Sequence, residues 1–176
     1  MIKENEILIT GSNGLLGKEL KKLYPNAIHI QRKDFDLTSQ NHVIRMFLTY
    51  HPKVVIHLAA KVGGILDNMD KPAEYFDDNV IMNTLMVKCS KLYNVERFIG
   101  VLSSCIFPDV MDKYPLLETD LHAGPPPETN FSYSYAKRAF AVQIDAYNKQ
   151  YGTKYNYVIP CNLYGENDKT DIIKSH

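Results

Sequence analysis

The stretch Glu6-Ile7-Leu8-Ile9-Thr10-Gly11-Ser12-Asn13-Gly14-Leu15-Leu16-Gly17 decides the fold. An apolar run ends, glycines turn the backbone, and a helical pattern begins at once with Leu15, Leu16, Leu20 and Leu23. Such a junction aims backbone N–H groups and the positive end of a helix at one spot, which suits a pyrophosphate. The spacing is G-x-x-G-x-x-G, in place of the more familiar G-x-G-x-x-G. A glycine turn alone is weak grounds for nucleotide binding. Its strand–turn–helix setting and the motifs that follow make a nucleotide-cofactor enzyme the leading expectation. Gly11, Ser12, Asn13, Gly14, Leu15 and Gly17 are the expected cofactor-binding residues of this turn.

The rest of the chain alternates in the same way. Short continuous apolar runs at 7–10, 27–30, 54–58, 97–102 and 155–159 read as strands buried on both faces of a parallel sheet. Helical patterns fall between them at 15–24, 40–50, 72–93 and 133–151. Pro72 suits the first turn of a helix, where no N–H is needed, and Gly152 suits a helix end. This alternation predicts an α/β fold, a doubly wound parallel Rossmann-type sheet with helices on both faces and ligands at the carboxyl ends of its strands. Residues 108–130, with Pro125-Pro126-Pro127, form the one long irregular connection.

Bulk composition narrows the classes. The chain has 176 residues, one domain's worth, and 45% apolar content is enough for a core. Lys+Arg and Asp+Glu balance at 20 each, so no bulk charge drives binding to nucleic acid or anionic membrane. Neither partner is expected. Apolar runs are strand-sized, and residues 1–6 are too polar for a signal peptide. Cys89, Cys105 and Cys161 form no C-x-x-C pair and no even disulfide set, which predicts reduced thiols, a cytoplasmic protein and no metal site.

Several positions carry chemistry. The second strand ends in Gln31-Arg32-Lys33. An acidic residue there would bind the adenosine ribose, whereas Arg32 or Lys33 suits a 2′-phosphate and so NADP. Asp36, followed by Leu37, either meets the adenine edge or caps a turn. Ala59-Ala60-Lys61 closes the third strand, and small residues there let a ligand lie against backbone. His57, inside that strand, reads as a buried hydrogen-bonded histidine. The fourth strand delivers Ser103-Ser104-Cys105 at its carboxyl end. Tyr133 and Lys137, spaced i, i+4, share a helix face, from which Tyr135 is excluded. A lysine cation beside the tyrosine hydroxyl is expected to lower the phenol pKa. Tyrosine can then give a proton to a carbonyl while a nicotinamide gives hydride, with serine hydrogen-bonded to the same oxygen.

The set G-S-N-G-L-L-G, A-A-K-V-G-G-I, S-S-C-I-F-P, Y-S-Y-A-K and N-L-Y-G resembles the extended short-chain dehydrogenase/reductase family. A-K-V-G-G-I and S-S-C-I-F-P are the more specific segments. They resemble the branch that converts GDP-4-keto-6-deoxy-D-mannose to GDP-L-fucose by 3,5-epimerisation and 4-keto reduction with NADPH. The resemblance implies a reductase triad of Ser103, Tyr133 and Lys137. It implies that Cys105 and His176 are the epimerisation acid–base pair. Ala59, Ala60 and Lys61, with Pro160 and Leu163, would line the cofactor. Asn162 and Ser104 would meet the sugar of a GDP-sugar substrate. Asn79 would line the site or be an ordinary helix-face amide. Read without the resemblance, Cys105 is a small buried apolar residue. Related reductases pair as homodimers through helices equivalent to 72–93 and 133–151.

Two departures stand out. Asn13 occupies a place where some family members carry a basic residue, which leaves the 2′-phosphate to Arg32 or Lys33. The family's C-terminal substrate lobe follows the histidine, so residues 1–176 are expected to be an NADP-binding Rossmann-type domain, truncated, with that lobe missing and with weak or no activity alone. The rival expectations are another sugar-nucleotide epimerase or reductase of the same family, and a catalytically inactive NADP-binding remnant. A dehydratase is disfavoured because Cys105-Ile106 stands where Asp-Glu would serve.

Overall fold

The computed structural model describes residues 1–166. Five strands, β1 (Ile7–Thr10), β2 (Ile28–Ile30), β3 (Val54–His57), β4 (Arg97–Val101) and β5 (Tyr155–Val158), form one sheet in the order β2-β1-β3-β4-β5. Every pairing is parallel, with Leu8 opposite Ile28 and Val55, and Phe98 opposite Val55 and Tyr155. The helices are α1 (Leu15–Leu23), α2 (Gln40–Tyr50), α3 (Ile65–Asp70), α4 (Pro72–Leu92) and α5 (Phe131–Tyr151). The connection from β1 to β2 runs toward one edge of the sheet and the later ones run toward the other. Right-handed crossovers therefore set α1 on one face and α2, α4 and α5 on the other. Strand order reverses between β1 and β3, and a ligand crevice belongs at that point.

Packing explains where α5 sits. Gly100 in β4 has no side chain, and a Cβ there would lie 2.7 Å from the Phe140 ring. Phe140 and Ile144 of α5 therefore rest directly on β4, beside fully buried Phe98 and Val55. Each such side chain contributes about 1.5–3 kcal/mol. An exposed pair such as Lys22–Glu19, at 2.9 Å, contributes about 0–1 kcal/mol. Apolar packing thus holds the helix that carries Tyr133 and Lys137.

Several boundaries differ from the sequence expectation. Strands β2 to β5 are one residue shorter at one end, and α5 starts at Phe131, directly after a 3-10 turn over Glu128–Asn130. Helix α3 was not anticipated. It is too short to show a hydrophobic period, and the Gly63-Gly64 pair before it reads as loop. The 108–130 connection holds a second 3-10 turn, Glu118–His122, where the Asp120 carboxylate accepts from the Leu117 amide at 2.9 Å. Gly152 ends α5 with φ +64°, a left-handed conformation that glycine adopts freely.

His57 is buried and fully hydrogen-bonded. Its Nε2 lies 3.1 Å from Asn83 Oδ1, and its Nδ1 lies 2.8 Å from Thr10 Oγ1. An amide oxygen can only accept, so Nε2 carries the proton and the Thr10 hydroxyl donates to Nδ1. Thr10 Oγ1 in turn accepts from the Ala59 amide at 3.2 Å. This chain of bonds ties α4, β3 and the end of β1 together. Burial, aided by the nearby Lys137 charge, pulls the His57 pKa down to about 3. Below the ordinary value near 6.5, the unfolded chain binds a proton that the folded chain refuses. Stability is therefore present above that pH and falls as pH drops toward 3, by up to about 1.4 kcal/mol per pH unit. Urea unfolding across this range should show that slope, and His57→Gln should flatten it by about one proton. An unchanged slope would remove His57 from the account.

Candidate active site

Two adjoining clefts open at the carboxyl ends of the strands. The first, of about 360 Å³, lies at the switch point between β1 and β3. Its floor is the Gly11–Gly14 turn, with Gln31 and Arg32 after β2 on one side and Ala59, Ala60 and Lys61 after β3 on the other. Gly11 has φ +69°, and a Cβ there would lie 2.8 Å from the Ala59 amide nitrogen. Only glycine lets these two strand ends meet. Gly17 lines neither cleft. It is buried, and a Cβ would lie 2.3 Å from the Gly11 carbonyl oxygen, so its role is close packing of α1 on the turn. Ser12 is also turned inward, its hydroxyl donating to Ile9 O at 2.9 Å. Asn13 Nδ2 donates to Gln31 Oε1 at 2.9 Å.

Asp36 lines this cleft and makes a turn as well. Its Oδ1 accepts from the Thr38 amide at 3.0 Å and from the Thr38 hydroxyl at 2.8 Å. Those bonds, more than the Arg32 charge, hold its carboxyl below the usual range. Leu37 is buried at the same wall and Arg32 is exposed. Lys33 is not part of the lining. Lys61 pairs with Glu74 and with Asp78, the latter at 3.1 Å. The Glu74 bond is the main reason its ammonium pKa is raised. Asn79 stands behind the wall. Its Oδ1 accepts from the Lys61 amide and its Nδ2 donates to the Lys61 carbonyl, both at 3.0 Å. The sequence left a site-lining role open for Asn79; the structure makes it a backbone clamp.

The second cleft, of about 630 Å³, gathers Ser103, Ser104 and Cys105 from the end of β4 and Tyr133 from α5. Pro160, Cys161, Asn162 and Leu163 join from the end of β5. Val62 lines both clefts, so they form one continuous trough. Leu15, Pro160 and Leu163, expected with the cofactor, lie on this second side. The end of β5 is two strands from the switch point, and Leu15 is the first residue of α1 after the turn. The sequence reading missed α3, whose Ile65, Leu66 and Asn68 complete the wall. The signal was Asp67 and Lys71 at i, i+4, an ion pair of 2.8 Å. His176 lies outside the described residues.

Lys137 lines neither cleft. Its ammonium is buried under the floor, donating to the Val101 carbonyl at 2.7 Å and lying 5.7 Å from the Tyr133 ring centre. Burial pulls its pKa down to about 8. The expected lowering of the Tyr133 phenol is not found. Burial pushes that phenol upward, with smaller contributions from Cys105 and Tyr75. Lys137 is engaged with backbone, so desolvation wins. The phenol is thus held protonated, the state a proton donor requires. Cys105 donates to Ser103 Oγ at 3.2 Å. Tyr135 points away and lies under Arg138, 5.3 Å from ring centre to guanidinium.

Comparison with known proteins adds a lineage to this geometry. The NAD dependent epimerase/dehydratase family matches residues 7–176. The GDP-L-fucose synthase of Dictyostelium discoideum is 39% identical over 97% of this chain and 55% of its own length. The GDP-L-fucose synthetase of Naegleria fowleri, solved bound to NADP, superposes with a TM-score of 0.87 at 35% identity, covering 97% of this chain and 57% of that one. A GDP-D-glycero-L-gluco-heptose synthase of Campylobacter jejuni, solved in the presence of NADPH, gives 0.91 at 29% identity over 99% and 53%. The chain spans about half the length of these relatives.

Proposed function

Since the chain belongs to the NAD dependent epimerase/dehydratase family, we propose that it serves the NADPH-dependent conversion of GDP-4-keto-6-deoxy-D-mannose to GDP-L-fucose. One observation carries this reading. Ser103, Cys105 and Tyr133 converge on one cleft that shares a wall with a glycine-floored cofactor cleft. The first cleft fits a dinucleotide: a Cβ at Gly11 would fill the cradle, and Arg32 stands where a 2′-phosphate needs a cation. Gly11 and Gly14 would face the pyrophosphate, and Ala59 and Ala60 would flank it.

When bound, NADPH supplies hydride to carbon 4. Tyr133 donates its phenolic proton to the 4-keto oxygen, and the Ser103 hydroxyl hydrogen-bonds to that oxygen. The Lys137 ammonium, bonded to the Val101 carbonyl, lies against the Tyr133 ring and helps to fix its position. Cys105 exchanges a proton with the ring carbon beside the ketone, while Ser103 and Tyr133 hold the enolate oxygen. The opposite face needs a second acid–base group, the part proposed for His176. Exposed Ile81 on α4 and Val142 on α5 support a homodimer through those helices. No helix of the described residues is long and apolar enough to cross a membrane. Free thiols suit a cytoplasmic setting.

A second reading, GDP-sugar 4-reduction without epimerisation, is favoured by the likeness to a GDP-mannoheptose C4 reductase of Campylobacter jejuni, which superposes with a TM-score of 0.89 at 28% identity. Cofactor choice is testable separately. NADPH should bind more tightly than NADH, and Arg32→Ala should remove the preference at a cost of about 1.5–3 kcal/mol, the worth of a charge-assisted contact. Fluorescence titration with both cofactors reads this. Equal affinities in the unmutated protein would contradict it.

A further inference from the structure

We infer that Arg138 is a positioning residue for Cys105: its buried guanidinium ties the turn that carries the thiol to the helix that carries Tyr133. Cys105 is the middle residue of the 3-10 turn Ser104–Ile106. The residue before it is fixed to the end of β5, with Ser104 N donating to Pro160 O at 3.2 Å. The residue after it is fixed to α5, with Arg138 Nε donating to Ile106 O at 2.6 Å. The thiol therefore stands between two anchors, one on the sheet and one on the helix. Because α5 rests on β4 through Phe140, the second anchor sets where Cys105 stands relative to Tyr133.

The same guanidinium closes the long connection. Its Nη1 donates to Gly124 O at 2.8 Å. Beside it Asp109 N donates to Pro125 O at 3.0 Å, and a Cβ on Gly124 would lie 3.3 Å from Pro108 Cβ. Residues 107–124 thus leave and rejoin the domain at one neck. A planar fork reaches both carbonyls at once, which the single ammonium of a lysine does not. Tyr135, off the face shared by Tyr133 and Lys137, supplies a shelf for the guanidinium, 5.3 Å from its ring centre. Arg138 is only 5% exposed. Among the described residues its bonds go to backbone carbonyls, and Nη2 has no partner. A cation buried without a carboxylate carries a desolvation cost, and here it is set against the placement of two chain segments. The catalytic consequence rests on the reading above, in which Cys105 exchanges a proton with a substrate carbon. The clamp itself does not.

The test uses Arg138→Met, which removes both bonds, and Arg138→Lys, which keeps the charge and reaches one carbonyl. Amide hydrogen exchange by mass spectrometry is the first readout. In segment 103–107 the Ile106 and Phe107 amides bond to the Ser103 and Ser104 carbonyls at 3.2 Å. Arg138→Met should speed exchange there by about tenfold or more, the least by which a lost charge-assisted hydrogen bond shifts a local opening. Segment 82–92 of α4 should be unchanged, and Arg138→Lys should fall between methionine and the parent. The second readout is turnover of the keto sugar in D₂O by a restored full-length form. Deuterium entry at carbons 3 and 5 should fall by about 10–10²-fold in Arg138→Met, the scale of a misplaced reacting group. The KM for the keto sugar and NADPH affinity should hold, and hydride transfer should fall less. Unchanged exchange in 103–107, equal loosening of 82–92, a lysine variant equal to the parent, or equal loss of both chemical steps would each overturn the inference. If 103–107 loosens alone and the parent brings no deuterium to carbon, the clamp stands and the proposed reaction fails.

Discussion

Tyr133→Phe is expected to lower ketone reduction by about 10²–10⁴-fold, the contribution of a positioned general acid, with NADPH binding retained. The phenol has the geometry and the protonation state of a donor. It faces the cleft that holds Ser103 and Cys105, and burial keeps it protonated. Phenylalanine keeps the ring on which Lys137 rests and removes only the proton. The rate of NADPH oxidation with the keto sugar measures the loss, and cofactor titration controls for folding. A variant that reduces at the parent rate would show that another group donates the proton.

Cys105→Ser is expected to reduce solvent-deuterium entry at carbons 3 and 5 by about 10²-fold or more, in the range of lost acid–base catalysis. Serine keeps the size and the hydrogen bond to Ser103, 3.2 Å in the parent. Its hydroxyl ionises far less readily than a thiol, so proton exchange suffers first. Hydride transfer to carbon 4 should continue, since Ser103, Tyr133 and Lys137 are untouched. Exchange read by NMR, set against NADPH consumption, separates the steps. Unaltered exchange in the variant would remove Cys105 from the proton-transfer role.

Much of the fold was legible because buried parallel strands write themselves as short apolar runs. The runs at 7–10 and 54–58 sit within a residue of β1 and β3. The turn at Gly11 was legible because a positive φ and a close approach both demand glycine. Helix α3 was not, since a segment this short carries no period. Tyr133 and Lys137 were legible by spacing, yet their coupling was misread. Spacing reports a shared helix face and says nothing of burial, and burial decides both groups. Asn79 and Gly17 show the same gap. Gly17 was placed beside the ligand by the glycine pattern and Asn79 was left open between the site and an ordinary helix face, and each makes a contact within the wall that only tertiary packing specifies.

The most direct test of the central claim is incubation of a restored full-length form of the protein with GDP-4-keto-6-deoxy-D-mannose and NADPH in D₂O, followed by NMR. The account predicts deuterium at carbons 3 and 5 together with a reduced carbon 4 and matching NADPH oxidation, giving GDP-L-fucose. NADPH oxidation with no deuterium at either carbon would contradict it and would leave a GDP-sugar 4-reductase in its place.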